Sequence, residues 1–241
     1  MMMIMFITGL IVAFIGTFAG SGGLIGMPVM LVVGLPVHTA IATAKFSNMI
    51  SSFSSFYYLL KMKKVEWKEA SYVIPIAITG GITGGFIASF ISPRVMEIIA
   101  ILLLLFALSL SLRKKPPVNE KERKVKQRLS PYLFSIAVYD GVFGPGQATL
   151  LMYFYLNKGY QYIKAVALTR FQTFLSCTGA FIMYFSNDYF DWKIGIPFAL
   201  GGLIGAQLAV RFTDKISVTN AKLLLNIITL LLIIQLTYSL F

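Results

Sequence analysis

Two cations stand in stretches of this sequence that should hold none. Lys45 and Arg170 each lie about nine residues inside an apolar run, 36–60 and 161–185, which as a helix places them about 13 Å deep at 1.5 Å per residue. A charge at that depth costs roughly 2.5–3.5 kcal/mol on insertion scales, so both need stabilising partners. Their neighbours are polar. At helical spacing from Lys45 fall His38, Asn48, Ser52 and Ser55; around Arg170 lie Thr169, Gln172, Thr173 and Ser176. An ammonium point charge and a planar guanidinium fork among hydroxyls and amides suit an oxyanion. Lys45, Arg170, Asn48, Gln172 and Thr169 are therefore candidate substrate-binding residues. Asp140 is the only acid clearly inside an apolar stretch. It has two readings, a structural counter-ion for Arg170 or the carrier of a coupling proton. One acid cannot neutralise two cations, so the centre stays net positive.

The elements that position these residues are membrane-length helices. The 241 residues are 57% hydrophobic and only 12% charged, against about 25% charged in a soluble domain. Apolar runs of about 18 residues or more recur along the chain, and each can cross a bilayer as a helix. The fold class is an all-α polytopic membrane protein. A net charge of +12 might suggest nucleic acid as partner, but its distribution argues otherwise. Eight Lys and Arg between Arg113 and Arg128, against Glu120 and Glu122, concentrate half the surplus in one linker. That pattern marks a cytoplasmic loop. The lone Cys177 has no internal partner for a disulfide. Residues 1–18 lack a basic leader and a cleavage site, so they read as retained membrane segment.

The sequence also repeats itself. Ala40-Ile41-Ala42-Thr43-Ala44-Lys45-Phe46 matches Ala165-Val166-Ala167-Leu168-Thr169-Arg170-Phe171 at an offset of 125. At that offset Gly34 falls on Gly159, and Glu66-Trp67-Lys68 on Asp191-Trp192-Lys193, which hold the only two tryptophans. This gives three parts: a first membrane repeat 1–112, a basic cytoplasmic linker 113–129 and a second repeat 130–241. Each repeat has a glycine-broken segment, 3–34 or 131–156, and then three spans. Those are 36–60, 70–91 and 94–112 in one, and 161–185, 194–212 and 217–240 in the other.

If a broken segment crosses the bilayer, the repeats are parallel; if it dips in and returns, they are inverted. Loop charge favours inversion. It gathers Lys61, Lys63, Lys64 and Lys68, the linker, Lys158 with Lys164, and Arg211 with Lys215 on the inside. Asp188 and Asp191 stay outside. Broken helices near such an axis line the substrate cavity of many secondary transporters. Gly22, Gly23, Gly144, Gly146 and Gln147 at the two breaks are accordingly candidate site residues. The clusters Gly80-Gly81-x-x-Gly84 and Gly201-Gly202-x-x-Gly205 read instead as close helix packing. His38, the only histidine, reads as a packing or mouth residue and not as a metal ligand.

Three segments carry a resemblance: Ala19-Gly20-Ser21-Gly22-Gly23-Leu24-Ile25-Gly26-Met27-Pro28, Ala40-Ile41-Ala42-Thr43, and Asp140-Gly141-Val142-Phe143-Gly144-Pro145-Gly146. Together they resemble the sulfite exporter TauE/SafE family of membrane permeases, over both halves of the chain. The resemblance implies a multi-pass inner-membrane transporter of sulfur-containing anions such as sulfite or organic sulfonates. It places the family's glycine turns at Gly20, Gly22 and Gly23 and at Gly144 and Gly146. Gln147 stands where the family often has a smaller residue.

The expectation is a secondary transporter for a small anion, bound near the midplane and moved by alternating access. Its partners would be that anion, the bilayer and, through Asp140, a coupling proton, with no nucleic acid. A passive anion channel needs the same cations and is the alternative. A membrane protein whose buried charges only fix helix packing is a further one. No nucleophile, metal cluster, acid pair or P-loop marks an enzyme, an ATP-driven pump or a cofactor.

Overall fold

The computed structural model describes residues 2–19, 23–112, 131–211 and 218–240. Gly20, Gly22, the linker 113–129 and Lys215 lie outside the described residues. Those described form eleven helices and no strand. In the first repeat these are α1 (Met2–Ala19), α2 (Gly23–Val32), α3 (Val37–Lys61), α4 (Trp67–Ser71), α5 (Ile74–Ser89) and α6 (Pro93–Leu112). In the second they are α7 (Pro131–Val142), α8 (Gln147–Asn157), α9 (Tyr162–Ser186), α10 (Trp192–Arg211) and α11 (Val218–Leu240).

Several helices recur at the offset seen in the sequence. α3 and α9 are 25 residues each and start 125 positions apart, as do α4 and α10, and α6 and α11. Even the turns agree. Gly34 and Gly159 take φ of 91° and 93°, a left-handed conformation that costs glycine little. Each turn ends its helix with the same pair of bonds: Gly34 N–H to Leu31 O and Leu35 N–H to Met30 O, Gly159 N–H to Leu156 O and Tyr160 N–H to Tyr155 O. One expected span differs. The run 70–91 is broken at 72–73, where Pro75 near the start of α5 removes a donor from a continuing helix.

The equivalent helices α3 and α9 lie side by side and run in opposite directions. Phe46 meets Phe181, Phe53 meets Phe174 and Phe56 stacks on Phe171, with centroids 5.3, 5.0 and 4.2 Å apart. Around this pair the halves interlock. α1 packs chiefly on α10, and its counterpart α7 packs on α5. The second broken segment is a hairpin. Tyr132 at the start of α7 stacks on Phe154 near the end of α8, centroids 5.5 Å apart. At one end of the bundle Lys164 pairs with Glu69 at 2.7 Å. At the other, His38 stacks on Tyr189 at 4.6 Å and its Nε2 lies 3.1 Å from Ala88 O.

The outside of the bundle is apolar. Phe90 is 74% exposed, and Leu102 and Leu231 about as open, so this surface matches hydrocarbon and not water. The stretches Trp67–Ser89 and Pro93–Leu112 are long and apolar enough to cross a bilayer by themselves. α3 and α9 are as long, but they turn a polar stripe inward.

Glycines let the halves approach this closely. A methyl on Gly84 would fall on the Val138 carbonyl and within 2.7 Å of Gly141 Cα, and one on Gly81 would meet the Ser176 carbonyl. Gly201 and Gly205 face the α1 backbone in the same way. These contacts fix where α7 and α9 sit, and hence where their polar groups meet. Replacing Gly84 by Val should therefore cost about 1–3 kcal/mol or more through overpacking. Phe86→Val, on the half-exposed outer face, should cost much less. Thermal unfolding of the two variants in detergent checks the difference.

Candidate functional site

The inward stripes of α3 and α9 meet the tip of the α7–α8 hairpin, and between them lies a cavity of about 210 Å³. Along α3 it extends from Ala44 to Ser55, toward the end that carries Lys61 to Glu69. Lys45, Asn48, Ser51 and Ser52 line it from α3, Arg170 and Thr173 from α9, and Asp140 with Gly144 to Ala148 from the hairpin. Val12, Met27, Phe143 and Phe198 supply an apolar wall, and exposed Gln207 also lines it.

Lys45 is not a free charge. Its Nζ lies 2.8 Å from Asp140 Oδ1, with both side chains almost fully buried, and it also donates to the Asp140 carbonyl. The other carboxylate oxygen accepts from the Ser176 hydroxyl and, at 3.5 Å, from the Cys177 thiol. The turn permits this. Gly144 has φ of 107°, and a methyl there would sit 2.6 Å from Lys45 Nζ and 2.7 Å from Asp140 Oδ1. The reading of Asp140 as counter-ion to Arg170 is thus corrected. Its carboxylate is carried by α7 against α3, within reach of Lys45.

Arg170 is half-buried at the cavity wall and makes no hydrogen bond or ion pair among the described residues. Other donors around it are also unspent. Gln147 is buried; its Oε1 accepts from Thr173 at 3.1 Å while its Nε2 has no partner. Ser52 is 1% exposed and its hydroxyl has no partner either. α8 begins at this cavity, with Gly146 as its N-cap, so the positive end of its dipole adds to the field. A buried donor left without an acceptor costs about 1–3 kcal/mol. Two of them, Ser52 and Gln147, face one hollow beside a cation, an arrangement that suits an anionic ligand.

Of the residues proposed from sequence, Lys45, Arg170, Asn48, Asp140, Gly144, Gly146 and Gln147 line the cavity. Gln172 does not. It accepts from Tyr155 OH at 3.0 Å and donates to Leu133 O at 3.0 Å, tying α9 to both arms of the hairpin. Thr169 is buried away from the cavity, and Gly23 starts α2 while Gly26, one turn on, is the residue at the wall. Ser51 and Gln207 escaped the sequence reading. Gln207 carried a signal, a lone amide in an apolar span. No cluster of three metal-ligating side chains occurs among the described residues.

A model of the family described as sulfite exporter TauE/SafE matches residues 5–236. A probable membrane transporter protein of Sinorhizobium is 29% identical, covering 96% of this chain and 90% of its own length. One of Haemophilus influenzae is 27% identical, covering 98% and 94%, and one of Bacillus subtilis 24%, covering 88% and 89%. No solved structure matches.

The ion pair yields a stability prediction. Breaking a buried pair on one side leaves an uncompensated charge and costs about 3–5 kcal/mol, whereas replacing both partners is close to neutral. Lys45→Met alone should lower the unfolding midpoint in detergent sharply. Lys45→Met combined with Asp140→Leu should recover most of the loss. A double variant that loses the sum of the Lys45→Met and Asp140→Leu losses would show that the pair carries no coupling.

Proposed function

This chain belongs to the sulfite exporter TauE/SafE family and is a membrane transporter; from that premise we propose that it carries a small anion, a sulfur oxyanion such as sulfite or an organosulfonate. The anion binds near the bilayer midplane, between two inverted repeats, and crosses by alternating access. The observation that carries this reading is Arg170, a cation at the cavity wall with no counter-ion among the described residues. Lys45 and Asp140 cancel there, so the site retains one positive charge.

The antiparallel course of α3 and α9 and the α7–α8 hairpin support inversion, since each half then crosses three times. The Lys164–Glu69 pair supports it too, because it brings the two basic loops to one end of the bundle. By the charge rule that end is cytoplasmic, with the linker 113–129, in the inner membrane. The cavity extends toward it. Toward the opposite end Tyr184 donates to the carbonyls of Gly141 and Val142, and His38 and Tyr189 stack beyond. An anion therefore enters from one side at a time, and rocking one repeat against the other exposes it to the second. Asp140 is the carboxylate through which a proton gradient would act, because its protonation releases Lys45.

The test is flux in liposomes. With sulfite or methanesulfonate gradients, Arg170→Ala should lower flux by about tenfold or more in well-folded protein, as expected for loss of a charged hydrogen-bonding partner. Unchanged flux in that variant would sink the assignment, and chloride flux as fast as sulfite flux would favour a channel. Flux that rises with an imposed proton gradient, and loses that response in Asp140→Asn, would support coupling through Asp140.

A further inference from the structure

The two repeats are built alike but charged differently. In one, Lys45 of α3 meets the Asp140 carboxylate on α7, and Ser176 and Cys177 of α9 close its far side. Exchanging the halves at the offset shared by α3 and α9 sends Lys45 to Arg170, Ser176 to Ser51 and Cys177 to Ser52. It sends α7 to α1, which contains no charged residue. The second copy of this arrangement therefore has its cation and its hydroxyls but no carboxylate.

Arg170, Ser51 and Ser52 line one cavity, and the described residues of α1 at that wall are Gly9, Val12 and Ala13, none of them charged. The Ser52 hydroxyl is buried without a partner, and Arg170 has neither a hydrogen bond nor an ion pair among the described residues. We propose that the head group of the transported anion binds at this position as the mate of the Asp140 carboxylate, held by the Arg170 fork, the Ser52 hydroxyl and the Ser51 hydroxyl, which otherwise donates to Asn48 O at 3.3 Å. The inference rests on the anion-transport reading and adds the position and charge of the ligand. Among the described residues, Lys45, Asp140 and Arg170 are the charged groups at the cavity wall. A monoanion brings their sum to zero. A dianion leaves one negative charge without a partner in a site walled by apolar side chains, which is disfavoured. The ligand class is a monoanionic oxyanion head, such as a sulfonate or hydrogensulfite, in preference to sulfate.

Methanesulfonate and sulfate test this, since both present a tetrahedral sulfur with oxygens and differ in charge. Calorimetric titration of the purified protein in detergent at neutral pH should show methanesulfonate binding, with sulfate weaker by about tenfold or more. Ser51→Ala with Ser52→Ala should weaken methanesulfonate about tenfold, and Ser52→Thr should hold it within about threefold. Ser52→Ala alone removes a hydroxyl that bonds to nothing in the fold, so it should melt like wild type and still bind more weakly. The inference is overturned if sulfate binds as well as methanesulfonate, or if the folded alanine variants bind like wild type. If neither probe nor sulfite binds wild type, the anion-transport reading fails with it.

Discussion

A positive charge held at mid-depth in an apolar bundle requires a negative one beside it, and the rest of this structure follows from how that requirement is met twice. For Lys45 the protein provides the carboxylate itself, with Asp140 clamped between α3 and α9 by the ammonium, a hydroxyl and a thiol. For Arg170 it provides the surroundings and leaves the carboxylate out. The first arrangement is a finished structural joint. The second has the cation and the hydroxyls without the carboxylate, and the proposed anion would complete it.

Such a joint can form only where backbones come unusually close. The hairpin α7–α8 brings Asp140 to the centre because Gly80, Gly84 and Gly141 let α5 and α7 pack closely. Gly144 then turns the chain hard against the ion pair. The apolar residues around these contacts contribute packing, but the small ones set the geometry. In a bilayer there is no hydrophobic drive between helices, so close contact of this kind is what holds the halves together.

Symmetry and asymmetry divide the work. Under the proposed alternating access, near-equal halves would offer two arrangements of similar energy, one open to each side. One difference between them, the carboxylate of Asp140 with no counterpart on α1, leaves the positive charge that the proposed anion would neutralise. A fully symmetric bundle with two acids would hold its cations firmly and bind no anion. One with none would carry two bare charges.

The sequence by itself determined a good deal. The 125-residue repeat, the helix lengths, the glycine breaks and the mid-depth cations could all be read there, because each depends on local spacing and on the thickness of hydrocarbon. It also showed that one acid could not serve two cations. Which cation Asp140 serves was decided only by tertiary structure. That choice depends on how the hairpin tip is rotated against α3 and α9, and glycine contacts distant in sequence set that rotation. The same rotation turned Gln172 into a brace between Tyr155 and Leu133 and placed Ser51 at the cavity wall. Periodicity fixes a face along a helix, but a bundle with polar groups on several faces resolves them only when its neighbours are in place.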